Sequence, residues 1–558
     1  MTVELRDYQM RAAKEAISAL KRGKNVVLDM PTGSGKTITS LYAAHSAYGR
    51  SAVFTRTLSQ YEPWEMAARS LGLTLSGLYG KARVCKWARA QKKGFPVALP
   101  PCVKGARHAS KGGRSDLPAS MYVDGSCVYN SPDFEVSRIS ELGIRRFVRG
   151  DRKKCGYWFS RKAATKVKLY TYNARFLLPG VVDTGCEVHI FDEFHNFVDI
   201  NSLAEISITP SWLGWLKDYA ENKADVLTIS SPGNRSIPRW SEETRAWIGS
   251  LEAWVKGGDE PDLPPPNGLI AGDDDEVDPL NHLYSALELL KGGKDLWRWH
   301  RSGREDDVTK GREPEIRLRP VDPGYLTRSL THGPPWIALS GTPPSAAYMK
   351  DVLGLKDFVI IREGPPWSWT ADPKMITPVR PFTGVSLSYS RRSADRERVK
   401  ELVGGIIDGE RRTNRGGITL VVAPSKSIAG WFKDRWYVEG RGTLASDAPT
   451  SGVIVAHAGG KLVEGVEFVS GGRSTLKSII LLGVPFPNVR DPFLDDLAKM
   501  RGDRVKWDYV VERARIAVRQ AVGRAIRGPE DRATLMFVGD EWVRLLPSFF
   551  PELASRLA

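Results

Sequence analysis

The run Pro31-Thr32-Gly33-Ser34-Gly35-Lys36-Thr37 carries the residue types that the phosphates of a nucleotide need. Glycines let backbone N–H groups come close to phosphate oxygens, and the N-terminus of a following helix adds a favourable dipole. Gly33, Ser34 and Gly35 would form the cradle, Lys36 would reach the β- and γ-phosphates, and Thr37 would ligate Mg²⁺. The strict pattern opens with a further glycine, where this chain has Met30. A Gly/Ser turn with an incidental lysine is the plain alternative, and the elements on either side argue against it.

Two carboxylates follow the apolar run Val188-His189-Ile190-Phe191 as Asp192-Glu193. At the carboxyl end of a strand, Asp192 would hold Mg²⁺, directly or through water, and Glu193 would orient and deprotonate an attacking water. Alone, the pair reads equally well as an acidic loop; a phosphate cradle in the same chain favours the chemical reading. Near the C-terminus, Gln520-Ala521-Val522-Gly523-Arg524-Ala525-Ile526-Arg527 sits on an expected helix starting near Asp508. Spacing of i,i+3 would put Arg524 and Arg527 on one helical face, aimed at charge developing on a phosphoryl group. Surface arginines are usually just solvated, but the adjoining glutamine and glycine favour the functional reading.

The chain has 5 cysteines, too few for a disulfide scaffold. Cys85, Cys102, Cys127 and Cys155 fall in one Lys-, Arg-, Gly- and Pro-rich stretch with little hydrophobic periodicity. They lack the paired C-x-x-C spacing of zinc ribbons. Four thiolates converging in space suit a [4Fe–4S] cluster, and metal binding would supply folding free energy to a segment with no core of its own. Zinc in the same ligands and a set of free cysteines remain the alternatives. Cys186 reads as a small core residue.

The elements that must carry these groups are strands and helices in alternation. Asn25–Met30 and Ser51–Thr55 are short β-branched runs, with a helical pattern between them to about Tyr48. The strand before Asp192 comes after the cysteine stretch, and further strand-like runs recur from Trp336 onward: 337–339, 418–422, 479–482 and 535–538. Alternation of this kind indicates parallel α/β sheets. Residues 200–330 hold Trp-rich helical stretches around an acidic, Pro-rich loop, Gly258–Pro279.

A length of 558 residues suggests three or four domain-sized units. No run of about 18 apolar residues reads as a membrane span, and the N-terminus lacks a signal-peptide pattern, so an intracellular soluble protein, cytoplasmic or nuclear, is expected. Lys and Arg total 81 against 65 acids, a formal charge of +16 that favours polyanionic partners, nucleic acid first.

In this order the motifs resemble those of superfamily 2 helicases, and specifically the XPD/DinG (Rad3-related) branch. Arg6-Asp7-Tyr8-Gln9 is similar to the adenine-proximal start of such proteins. Thr55-Arg56-Thr57-Leu58-Ser59-Gln60 resembles motif Ia, Ser340-Gly341-Thr342 motif III, Ala423-Pro424-Ser425 motif IV and Gly460–Phe468 motif V. Gly483-Val484-Pro485-Phe486-Pro487 is similar to a segment typical of that branch. One departure stands out: the usual Asp-Glu-Ala-His reads Asp192-Glu193-Phe194-His195.

The resemblance implies an α/β fold of two RecA-like P-loop domains with ATP between them. The first, residues 1–80, 160–200 and 331–358, would be interrupted by an iron–sulfur domain at 81–159 and a helical arch at 201–330; the second would span 359–558. Lys36, Thr37, Asp192 and Glu193 would act from domain one with Tyr8 and Gln9 near the base, and Gln520, Arg524 and Arg527 from domain two. It further implies a monomer that translocates 5′→3′ on single-stranded or forked DNA in repair or a related transaction. Basic residues of the cluster domain (Lys81, Arg83, Lys86, Arg152, Lys153, Lys154) would line the DNA path, with Trp87, Tyr157 and Trp158 stacking on bases. A DinG-like enzyme of phage or CRISPR machinery acting on RNA–DNA hybrids, and a nucleic-acid-binding ATPase without unwinding, are the alternatives.

Overall fold

A computed structural model of the chain describes residues 4–56, 60–77, 168–173, 185–203, 205–208, 246, 249–251, 253, 297–302, 315–388, 391–413, 416–440, 449–464, 466 and 468–556. Cys85, Cys102, Cys127 and Cys155 lie outside the described residues, as do the basic and aromatic residues expected beside them and the loop 258–279.

Helix α1 (Asp7–Lys21) leads into β1 (Asn25–Asp29), then α2 (Lys36–Ala47), β2 (Ser51–Thr55), α3 (Tyr61–Ser70) and β3 (Leu75–Gly77). Strands β4 (Leu169–Asn173) and β5 (Val188–Phe191) follow, and after them β6 (Ile206–Ile208), β7 (Trp297–Ser302) and β8 (Glu315–Pro320). Helix α4 (Pro323–Thr331), β9 (Trp336–Ser340), α5 (Ala346–Asp351) and β10 (Phe358–Arg362) complete this half. Seven strands form one sheet in the order β10-β1-β9-β5-β2-β4-β3. Every neighbouring pair in it is parallel. β10 pairs with β1 from Asn25↔Phe358 to Asp29↔Arg362, so this sheet runs through Arg362, beyond the division expected after residue 358.

The insertion between β5 and β9 was expected to be helical. Its described residues include helical ones at 246, 249–251 and 253, and also an antiparallel sheet in the order β6-β8-β7 that the helical reading did not foresee. Alternating apolar and charged residues along β8, Glu-Ile-Arg-Leu-Arg-Pro, give it strand rather than helix periodicity. Arg319 of β8 lies 3.3 Å over the Phe493 ring, tying the base of the insertion to the second half of the chain.

That half runs β11 (Ile376–Pro378), α6 (Arg396–Thr413), β12 (Ile418–Ala423), β13 (Tyr437–Val438), β14 (Gly452–His457), the small hairpin β15 (Val469–Ser470) and β16 (Arg473–Ser474), and β17 (Leu476–Leu482). Helices α7 (Pro492–Arg501) and α8 (Asp503–Val522), β18 (Ala533–Val538) and α9 (Glu541–Phe549) finish it. Six parallel strands lie in the order β11-β18-β17-β12-β14-β13. Alternation across β12 and β17 feeds two cores. Leu420, Val422, Ile479 and Leu481 pack on one face, and Val421, Ala423, Ile480 and Leu482 on the other. Burial on both faces explains why these strands read as unbroken apolar runs. The α/β class and the two-sheet plan agree with expectation.

Candidate active site

β1 ends at Asp29, the chain turns, and α2 starts at Lys36 behind Gly35. Gly33 and Gly35 adopt φ of 79° and 83°, a region glycine enters without penalty. At Gly35 a Cβ would also lie 2.2 Å from Nε2 of Gln9. Tyr8 Oη and Gln9 Nε2 donate to the Ser34 carbonyl at 3.1 and 2.7 Å, bracing the turn from behind. Ser34 Oγ donates to the Pro31 carbonyl at 2.6 Å, and Lys36 Nζ to the same oxygen at 3.3 Å. Burial pushes the Lys36 ammonium below its ordinary pKa, against the pull of Glu193 and Asp192.

Asp192 leaves the end of β5 with its backbone N–H on the Phe54 carbonyl at 2.9 Å. Its carboxylate accepts Trp64 Nε1 from α3 at 2.9 Å and the Glu193 backbone N–H at 2.9 Å. Glu193 is one of the described non-glycine residues with positive φ, 51°. The turn that holds it there is closed by Asn196, whose backbone N–H and Nδ2 both donate to the Glu193 carbonyl. Strain at such a position is retained where the surroundings over-determine it, and here it aims the side chain into the cleft. His195 Nδ1 lies 3.2 Å from Glu193 Oε2 and 3.2 Å from Ser340 Oγ, joining the carboxylate to the end of β9. Burial, then Glu193, push the Asp192 carboxyl up to about 6. For Glu193, burial acts upward but is outweighed by His195, Lys36 and Arg524, which hold its carboxyl low.

Phe194, where the family has alanine, turns away from the cleft. It is fully buried, 4.6 Å from Phe197 and stacked at 5.9 Å on Trp336. The ring is held by an aromatic core beneath the acidic turn and is not among the residues lining the cleft.

The second half supplies Gln520, Arg524 and Arg527, with one correction. α8 begins at Asp503 and ends at Val522, with Gly523 as its C-cap, so only Gln520 is helical. Arg524 and Arg527 lie in the turn beyond, not on a helical face. Asp531 clamps that turn, accepting the backbone N–H groups of Arg527 and Gly528 at 2.7 and 2.8 Å. Arg524 Nη1 donates to the Val466 carbonyl at 2.6 Å. Both cations still face the first half: Arg524 lines one cleft with Glu193, and Arg527 Nη1 lies 3.8 Å from where a Cβ on Gly33 would be. A cleft of about 1220 Å³ runs between the halves, bounded by Pro31, Thr32 and Glu193 on one side and Gln520 and Arg524 on the other.

Several contacts at this site carried no sequence signal of their own. Trp64, which orients Asp192, lies 128 positions away in the chain. Arg56 donates to Asn196 at 2.7 Å and sits 3.6 Å from Glu464, so the segments resembling motifs Ia and V meet across the cleft. On α8, Glu512 accepts the Ser345 backbone N–H at 2.5 Å and Arg515 donates to the Pro343 carbonyl at 2.9 Å. Arg519 is buried, pairs with Glu552 at 2.7 Å and lies 4.9 Å over Trp369. Among the described residues no cluster of His, Cys, Asp or Glu has the form of a metal site, and no helix is long and apolar enough to cross a membrane.

Comparison with known proteins agrees with this arrangement. Residues 423–544 match a helicase C-terminal domain model, and residues 2–68 a model described as type III restriction enzyme, res subunit. Over 575 aligned positions the chain is 24% identical to the ATP-dependent DNA helicase XPD of Sulfolobus acidocaldarius, covering 96% of this chain and 95% of that one. Over nearly its whole length the chain is similar to the XPD-like superfamily 2 helicases. It is thus an enzyme of the helicase class. The helicase fold agrees with that of a solved XPD helicase at a TM-score of 0.67, with 20% identity over 99% of this chain and 98% of the other. An apo XPD gives 0.59 at 17% identity over 97% and 98%. The chl1 helicase of Schizosaccharomyces pombe is 29% identical over 108 residues, 18% of this XPD-like chain and 12% of that protein.

Proposed function

We propose that this XPD-like helicase uses ATP hydrolysis to translocate on single-stranded DNA, 5′→3′, and to open forked DNA. The observation that carries the reading is that one cleft is lined by Glu193 of the acidic turn and by Gln520 and Arg524 of the second half, with Arg527 Nη1 3.8 Å from where a Cβ on Gly33 of the phosphate turn would lie. The residues fit the groups the reading requires. The Gly33–Gly35 turn leaves backbone room for phosphate, and Lys36 and Thr37 open the helix behind it. Asp192 is held by Trp64 with its second oxygen on a backbone N–H, a half-buried carboxylate suited to Mg²⁺. Bound Mg²⁺ neutralises charge on the phosphoryl oxygens.

The chain's own residues then divide the work. Lys36 positions the terminal phosphates, and Glu193, held low and oriented by His195, takes the proton of the attacking water. Arg524 and Arg527 stabilise charge on the transferred group, with Gln520 beside them. Because the two arginines come from the second sheet's half, chemistry requires a closed cleft, and opening and closing moves the strand. Cys85, Cys102, Cys127 and Cys155 are proposed to hold a [4Fe–4S] cluster that ties down the segment beside the DNA; their order between the phosphate turn and the acidic turn supports this.

DNA-stimulated ATP hydrolysis coupled to fork unwinding tests both parts, on anaerobically purified wild type, Lys36→Ala and Cys127→Ser. Hydrolysis lost in Lys36→Ala, with unwinding alone lost in Cys127→Ser, is the expected result. A wild type that hydrolyses no ATP with any nucleic acid overturns the motor reading. Equal unwinding by wild type and Cys127→Ser overturns the cluster.

A further inference from the structure

Tyr8 and Gln9, expected near the nucleotide base, are both 7% exposed, and both direct polar atoms to Ser34. The other end of the Gln9 amide accepts the Arg6 backbone N–H at 2.9 Å. The pair braces the phosphate turn rather than facing the cleft. The wall of the cleft beyond Pro31 and Thr32 is built instead by the segment linking the two sheets, Arg362 to Ala371.

Three contacts hold that segment against the first half. Arg11 of α1 makes two hydrogen bonds to Glu363, at 3.1 and 3.0 Å. Arg362 lies 3.3 Å from Asp29 at the end of β1. Gly364 passes so close to the phosphate turn that a Cβ there would meet Pro31 Cδ at 2.8 Å. Just beyond stands Trp367, half-buried against the core of the second half and lining the cleft.

We infer that Trp367 is the stacking platform for the nucleotide base, so that this enzyme holds the base by its π-face. The inference rests on the proposed ATP site and adds the base subsite to it. An indole face accepts any base, whereas selectivity requires paired donors and acceptors on the base edge. Because Trp367 packs on the second half while Pro31 belongs to the first, a stacked base also bridges the linker on which domain closure turns.

Steady-state hydrolysis of ATP and GTP by the full chain, with saturating single-stranded DNA, tests this. Wild type sets the reference KM for each nucleotide. Trp367→Leu, which keeps the apolar packing, should raise both KM values roughly 5- to 150-fold, the range for loss of one base–aromatic stack, with kcat little changed. Trp367→Phe should restore most of the loss and reports on folding if the leucine variant is unstable. Unchanged KM values in Trp367→Leu would overturn the platform. Lys36→Ala separates the two claims: if it hydrolyses ATP as wild type does, the nucleotide site itself is misplaced.

Discussion

Tyr509 of α8 donates its hydroxyl to Asp199, just past the acidic turn, at 2.5 Å, and so joins the helix that ends at the arginine turn to the strand end bearing Asp192 and Glu193. Arg513 completes the junction, 3.1 Å from the other Asp199 oxygen and 3.2 Å from the phenol. Burial and Asp199 push the phenol well above its ordinary range, so it remains a donor throughout the pH range of the folded enzyme. Tyr509→Phe keeps the ring and deletes the donor. We expect it to lower DNA-stimulated kcat several-fold while leaving KM for ATP unchanged, because the arginine turn loses its register and the phosphate turn does not. An equal effect with and without DNA would show the contact to be merely structural.

Glu193→Gln should remove the base while keeping shape, lowering kcat about 10²- to 10⁴-fold, the usual contribution of a general base. Nucleotide binding, read by equilibrium titration with a fluorescent ATP analogue, should persist. Loss of binding in parallel would mean that Glu193 serves the phosphate turn instead.

Trp64→Phe deletes the N–H that Asp192 accepts while retaining most of the buried ring. Partners that orient a metal ligand are typically worth 10- to 100-fold in affinity or activity. The expected signature is a raised Mg²⁺ concentration at half-maximal hydrolysis, largely relieved by excess Mg²⁺.

Gly35→Ala combines a positive φ with a contact no Cβ tolerates, the Gln9 amide. Left-handed backbone alone costs about 1–2 kcal/mol for a residue with a Cβ. Hydrolysis should be abolished, and adding Gln9→Ala should relieve the clash without restoring activity. Recovery in the double variant would assign the whole defect to the amide.

The pair Arg519–Glu552 gives a pH prediction. Burial acts upward on the Glu552 carboxyl, but the Arg519 hydrogen bonds and charge prevail and hold it below its ordinary value of 4.5. A depressed acid binds fewer protons folded than unfolded, so its contribution is present above that value and is lost as pH falls through the folded one. Glu552→Gln should therefore lower the melting temperature at pH 7, by an amount equivalent to roughly 2 kcal/mol for a charged hydrogen bond. The difference from wild type should shrink as pH falls below about 4.

Much of this enzyme was legible because local chemistry is written locally. The phosphate turn needs glycine at positions whose backbone bends left-handed, and a strand rising to two carboxylates needs an apolar run and then a stop. Those rules located Lys36, Asp192 and Glu193 and predicted the parallel sheets around them. Helix periodicity misled at Arg524 and Arg527, since nothing in their i,i+3 spacing reveals that Gly523 ends the helix or that Asp531 clamps the turn. In the insertion the helical reading missed three short antiparallel strands, while residues 246 and 249–251 are helical.

By itself the sequence determined the two α/β sheets, the phosphate turn, the acidic turn and the order of the motifs, because each depends on neighbours within a few residues. Only the tertiary structure decided which distant side chains serve them. Trp64 reaching Asp192, Tyr509 reaching Asp199, Phe194 sinking into the aromatic core and Gln9 supporting the phosphate turn instead of facing the cleft all depend on the stacking of elements far apart in the chain. Such contacts are set by packing density and the burial of polar groups, which must find partners wherever the fold has brought them.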